Sequence, residues 1–135
     1  MKICLATVRS DPPFPPLALL YLKAYLVEHG TLTAGDIQIL EFTRGDTPEE
    51  IARRVLRGAP EIVGLSCYVW NVLTLTAAAR YIKGLQPQVR IVLGGPEVGP
   101  IARSVLEKHP DIDCVVKSEG ELVFAAIVAT WKRGG

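Results

Sequence analysis

The chain has 135 residues, of which 49% are hydrophobic and 21% charged, and a formal net charge of +1 at pH 7. That length suits one domain with a substantial core and is too short for two. The near-neutral balance argues against nucleic acid or an acidic membrane surface as partner, and no apolar run reaches the about 18 residues that span a bilayer.

Met1-Lys-Ile-Cys-Leu-Ala reads as the start of a first strand, Lys2 to Val8, rather than as a signal segment, so a cytoplasmic protein is expected. Arg9 to Pro16 is a proline-rich loop, which can be neither helix nor inner strand. A first helix follows from Leu17 to His29 and stops at Gly30. Leu17, Leu20, Ala24 and Val27 form one stripe on it, yet Leu19, Leu22, Tyr25 and Leu26 make much of the rest apolar. A helix apolar nearly all round is covered on more than one side.

Ile37 to Phe42 is the second strand. Thr47-Pro-Glu-Glu50 is a strong helix start, with a capping Thr, Pro in the first turn and Glu three residues after the cap. The second helix then turns Ile51, Val55 and Leu56 inward and Arg53, Arg54 and Arg57 outward, and Gly58 and Pro60 end it. Ile62 to Cys67 is the third strand, leading into Tyr68-Val-Trp70. Asn71 can cap a third helix that runs to Lys83 and closes on Gly84.

The fourth strand, Val89-Arg-Ile-Val-Leu-Gly-Gly-Pro-Glu97, runs straight into a paired-glycine turn. Its β-branched apolar run fits a strand buried on both faces. Pro100 starts a fourth helix through Leu106, ended by His109-Pro110. Asp113 to Lys117 is the fifth strand. Ser118-Glu-Gly-Glu121 then leads to a last helix, Leu122 to Trp131, again apolar on too many sides.

Strands and helices alternate five times at spacings that suit right-handed parallel crossovers. The expected fold is α/β and flavodoxin-like: a doubly wound five-stranded parallel sheet of order 2-1-3-4-5 with helices on both faces. Ligands of such sheets bind beyond the carboxyl ends of the strands. The rim there offers Ser66, Tyr68, Val69, Trp70, Gly94, Gly95, Pro96, Glu97, Glu119 and Gly120. Each has a bland reading as well: a tight turn, a packed aromatic pair, or a carboxylate beside a helix start.

Chemistry eliminates several tenants of this rim. A phosphoacceptor site needs a carboxylate ending strand three and an acidic pair after strand one; Ser66-Cys67 and the single Asp11 stand there instead. A phosphate cradle needs N–H groups that the prolines of Arg9 to Pro16 lack. No Gly-x-Gly-x-x-Gly fingerprint occurs. Cys4, Cys67 and Cys114 lie on separate strands and read as small buried residues. A large, flat, mostly apolar ligand with a trailing tail suits the rim better.

Five segments carry a resemblance to a family. Pro16-Leu-Ala-Leu-Leu-Tyr-Leu, Val63-Gly-Leu-Ser66, Val92-Leu-Gly-Gly-Pro96, Asp113-Cys-Val-Val and Glu119-Gly-Glu121 resemble the amino-terminal cobalamin-binding domain of radical S-adenosylmethionine enzymes. The anaerobic magnesium-protoporphyrin monomethyl ester cyclases belong to that broad group. The resemblance covers essentially the whole chain. It implies that Ser66 and Gly94-Gly95 line a slot for the dimethylbenzimidazole tail, that Tyr68 to Trp70 face the corrin, and that Glu119-Gly120 lie on the neighbouring rim. Gly95→Trp would then block the slot without unfolding the domain.

Two departures qualify what is implied. Corrinoid carriers with an Asp-x-His-x-x-Gly motif after strand one ligate cobalt through that histidine. This loop has none, which implies a base-off cofactor without a histidine ligand. The Cys-x-x-x-Cys-x-x-Cys motif that holds the iron–sulfur cluster is also absent. The cluster and S-adenosylmethionine would belong to the rest of a longer parent, whose C-terminal radical domain would pack on helices one and five. The fragment itself would bind cofactor without turnover. A docking domain that has lost its cofactor is the alternative, and a small enzyme using Glu97 or Glu119 as a base is a weaker third reading.

Overall fold

The computed structural model describes residues 1–10, 15–30, 32–117 and 120–134. Five parallel strands form one sheet: β1 (Ile3–Val8), β2 (Ile37–Phe42), β3 (Ile62–Ser66), β4 (Arg90–Gly94) and β5 (Cys114–Val115). Their order is β2-β1-β3-β4-β5, as the sequence predicts. Helices α1 (Leu17–His29), α2 (Pro48–Leu56), α3 (Val72–Leu85), α4 (Ala102–Lys108) and α5 (Gly120–Lys132) complete the alternation, with short 3₁₀ turns at Ala34–Asp36 and Gly99–Ile101.

Strand alternation divides the core. Cys4, Ala6, Val8, Val63, Leu65, Ile91 and Leu93 point to one face, where α2, α3 and α4 cover them. Ile3, Leu5, Ile62 and Val92 point to the other, where α1 and α5 pack side by side. All six residues of β1 are buried, as expected of a central strand covered on both faces.

Helix α2 follows its sequence signals closely. The Thr47 hydroxyl accepts from the Glu50 N–H at 3.2 Å, Pro48 opens the first turn, and Ile51, Ala52 and Val55 are buried. Elsewhere the helix ends differ from expectation. Gly30 adopts extended backbone rather than a left-handed cap. Helix α3 continues through Gly84 to Leu85 and ends on the bond from the Gln86 N–H to the Ile82 carbonyl. After α2 it is Ala59, not Gly58, that takes a positive φ of 50°. Pro100 lies in the 3₁₀ turn, so α4 begins two residues later and reaches Lys108.

The fifth strand is shorter at both ends than predicted, and at its start a side chain takes a place in the ladder. Asp113 Oδ2 accepts from the Ile91 N–H at 2.7 Å and meets Lys83 Nζ at 2.8 Å. The carboxylate thereby anchors the start of β5 to β4 and α3 together.

In α1, the buried residues are Leu19 and Leu26, while the stripe of Leu17, Leu20, Ala24 and Val27 faces outward. An all-round apolar helix carries no pattern that says which side meets the sheet. Tyr21, 59% exposed, widens this outer face, and Leu122, 72% exposed, and Val123 extend it onto α5. No helix among the described residues is long and apolar enough to cross a membrane.

Candidate functional site

The carboxyl ends of β1, β3 and β4 open into a slot on the α1/α5 side. Its floor is Leu5, Gly64, Ser66, Val92 and Gly94, its near wall Ala18, Leu19 and Leu22 of α1, and its far wall Gly120, Glu121 and Phe124 of α5. Gly95, Pro96, Tyr68 and Val116 shape the mouth, and the enclosed space is ≈ 200 Å³. A second recess of ≈ 180 Å³ adjoins it over the β1 end, between Arg9, Pro16, Glu41 and Trp70, and shares Ser66 and Tyr68 with the slot.

Glycines account for the slot's shape. A Cβ on Gly94 would meet nothing closer than Val116 at 4.0 Å, so the missing side chain leaves open space above the sheet. Gly64 sits mid-strand, where a glycine weakens pairing and usually marks close approach by something else. There a Cβ would press on Leu5 at 2.8 Å and approach the Phe124 ring at 3.6 Å. Gly95 serves a different purpose from the one expected. It has φ of +104°, and a Cβ there would collide with the Cys67 carbonyl and lie 2.9 Å from its nitrogen. The glycine is therefore needed to make the turn, and Gly95→Trp cannot act as a clean block of the slot.

Ser66, 7% exposed, ends β3 with its side chain on the slot side of the alternation. Its carbonyl accepts from Thr7 Oγ1 at 2.8 Å and from Asn71 Nδ2 at 3.3 Å. Tyr68 and Trp70 stack with centroids 4.6 Å apart and planes 2° from parallel. The Trp70 indole N–H donates to the Val8 carbonyl at 3.0 Å, which fixes the pair over the β1 end. Val69 between them is 75% exposed and stands proud of the rim.

Asn71 is a residue whose role the sequence obscures. It precedes α3, but its side chain makes no helix-capping bond. Instead Nδ2 donates to Thr7 Oγ1 (3.1 Å), the Val8 carbonyl (3.0 Å) and the Ser66 carbonyl, while Oδ1 accepts from the Tyr68 N–H at 2.7 Å. One buried amide thus ties β1, β3 and the aromatic shelf together. Its removal strands several buried polar groups. Asn71→Ala should lower the unfolding free energy by about 3 kcal/mol in urea titration.

Glu97 lies half-buried on the turn and lines neither cavity. It faces the Cys67 thiol, which burial, and secondarily this carboxylate, pushes up to about 12. Burial alone does the same to Cys4. Both thiols stay protonated and inert at neutral pH. Glu119 lies outside the described residues, whereas Gly120 opens α5 at the slot mouth. Sequence reading missed Leu5, Gly64 and Phe124 as slot residues; a lone glycine inside a strand was the signal for Gly64. Among the described residues, no cluster of His, Cys, Asp and Glu could hold a metal ion.

Comparison with known proteins bears on the family and the fold. The chain is 34% identical over 122 residues to the cobalamin-dependent radical SAM methyltransferase TokK of Streptomyces tokunonensis, covering 90% of this chain and 18% of that protein. It is 27% identical over 122 residues to the anaerobic magnesium-protoporphyrin IX monomethyl ester cyclase of Rubrivivax gelatinosus, covering 90% of this chain and 21% of the relative. The chain thus spans about a fifth of the length of these relatives. Its fold superposes with a TM-score of 0.72 on the cobalamin-dependent S-adenosylmethionine radical enzyme OxsB with aqua-cobalamin and S-adenosylmethionine bound, at 16% identity over 98% of this chain and 19% of that one. The pattern of the B12 binding domain matches residues 1–128. The chain belongs to the B12-binding domain family.

Proposed function

We propose that this chain is the corrinoid-holding part of a longer radical S-adenosylmethionine enzyme acting in methylation, cyclisation or related radical chemistry. The observation that carries this reading is the apolar slot running from an aromatic shelf down between α1 and α5. Its chemistry fits the group: the floor is open at Gly94 and the walls, apart from Glu121 at the rim, are aliphatic and aromatic, which suits a flat tail. Ser66, Gly94 and Gly120 would border the tail, with Tyr68, Val69 and Trp70 against the ring. When bound, the corrinoid supplies a cobalt centre able to carry a methyl group or to cycle electrons.

The lower face of that cobalt would lack a histidine. The sequence holds two, His29 ending α1 and His109 following α4. Helices return antiparallel to the strands, so both lie at the amino edge of the sheet, away from the shelf. Trp70, held on the Val8 carbonyl, would cover that face instead and limit access of water to it.

The radical domain of the parent, with its iron–sulfur cluster and S-adenosylmethionine, would pack against the outer face of α1 and α5. Leu17, Leu20, Tyr21 and Leu122 supply the apolar surface for that contact. Equilibration with hydroxocobalamin followed by desalting tests the cofactor assignment. The expected product is a one-to-one complex with a base-off spectrum. A spectrum of histidine-ligated cobalt would overturn the lower-face assignment. Absence of retained corrin, both here and in a longer chain with the radical domain, would leave only the docking reading.

A further inference from the structure

We propose that the slot selects among corrinoids by their lower base, accepting an apolar benzimidazole and disfavouring a purine. The inference rests on the corrinoid reading above and names the ligand class more narrowly. Strand register divides the slot floor into two rungs. The deep rung is Leu5, Gly64 and Val92, aligned across β1, β3 and β4. Phe124 of α5 closes over it, its ring 3.6 Å from where a Gly64 Cβ would stand. The upper rung pairs Ser66 with Gly94, one alternation nearer the mouth.

Polar side chains follow this division. Among the described residues, those lining the slot are Ser66, Tyr68 and Glu121. Ser66 and Tyr68 lie at the carboxyl rim of β3, and Glu121 in the first turn of α5 at that same rim. The deep rung has none. Its backbone offers little either, because β1, β3 and β4 are interior strands whose N–H and C=O groups are engaged in the ladder.

A dimethylbenzimidazole presents only C–H edges and methyl groups at its far end, and these match Leu5, Val92 and Phe124. An adenine presents an exocyclic amine and ring nitrogens, which would be desolvated there without partners. Unpaired polar groups of this kind discriminate strongly, because water satisfied them before binding. The ribose and phosphate, by contrast, would stay near the rim, where the hydroxyl of Ser66 is.

The test is competitive equilibrium dialysis of three corrinoids: hydroxocobalamin, its adenine-based analogue pseudocobalamin, and dicyanocobinamide, which has no lower base. Hydroxocobalamin should bind about 10-fold or more tighter than pseudocobalamin, and also tighter than cobinamide. Val92→Thr places a hydroxyl on the deep rung at nearly constant shape and should narrow the first ratio at least about threefold. If that variant fails to fold, as its melting curve would reveal, the wild-type ratio decides alone. Equal affinity for the two based corrinoids with weaker cobinamide would overturn the selectivity and leave the corrinoid reading standing. Equal affinity for all three would remove the base from the slot altogether. Retention of none, both here and in a longer chain with the radical domain, would overturn the corrinoid reading, and the selectivity with it.

Discussion

Gly94→Trp should abolish hydroxocobalamin retention while leaving the domain folded. The side chain would start from a backbone position with normal φ, where the nearest heavy atom to a new Cβ is 4.0 Å away. It would then project from the upper rung into the open slot and occupy the volume assigned to the tail. Filling an existing cavity displaces no packed neighbour, so the penalty on stability is small. Affinity should fall on the order of 100-fold or more, whereas the melting temperature should move by less than about 5 °C. Measuring both by spectral titration and thermal melting separates a blocked site from a damaged fold. Unchanged corrin binding by this variant would remove the tail from this slot.

The neighbouring glycine should behave in the opposite way. Gly95→Val combines two penalties: a β-branched residue at φ of +104°, and a Cβ forced against the Cys67 backbone. A disfavoured backbone well costs about 1–3 kcal/mol, and overpacking a rigid neighbour adds a similar amount. The expected loss is about 4 kcal/mol in denaturant unfolding, large for a single substitution. Cofactor binding would be lost with the fold, not in spite of it. The two glycines differ because Cys67 lies over one of them: its N–H bonds the Gly94 carbonyl at 2.8 Å, which brings its backbone down onto Gly95. A wild-type-like midpoint for this variant would show that the turn relaxes freely.

Much of the fold is legible in the sequence because several local signals agree. Runs such as Ile91-Val-Leu93 are long enough for a strand and too short for a helix. The Thr47-Pro-Glu-Glu50 start leaves α2 little alternative. Sheet order follows from right-handed crossovers once five alternations are recognised. Where signals compete, the reading fails. Asn71 is an excellent capping residue by type, yet four partners on β1, β3 and the shelf claim its amide. Its donor bonds to Thr7 and Val8 span 64 and 63 positions of the chain, beyond any local pattern.

The slot was legible only at its rim. Gly94 and Ser66 end strands and advertise themselves; Leu5, Val92 and Phe124 look like ordinary core. They become walls because α1 and α5 leave room between them at the rim end, a matter of helix placement that no spacing encodes. The orientation of α1 was equally hidden. Leu17, Leu20, Ala24 and Val27 form as good an inward stripe as the one that is buried. A second apolar surface, if covered in the parent protein, explains why such a stripe persists on the outside.

The uneven capping of the helices has a consequence for how the domain breathes. Helix α2 carries a side-chain cap, a proline start and two first-turn carboxylates, and it packs with α3 over the larger of the two apolar clusters. Helix α1 follows Pro16 with no side-chain cap and shields a smaller cluster with α5. Opening free energies should therefore be graded across the sheet: amide hydrogens of α2 and of the strands beneath it are expected to exchange more slowly than those of α1. The side that yields first is the one that contains the slot. A guest could thus enter by local parting of one helix pair while the opposite half of the molecule remains closed. Once seated, it would raise the protection of α1 and α5 selectively, in proportion to its occupancy.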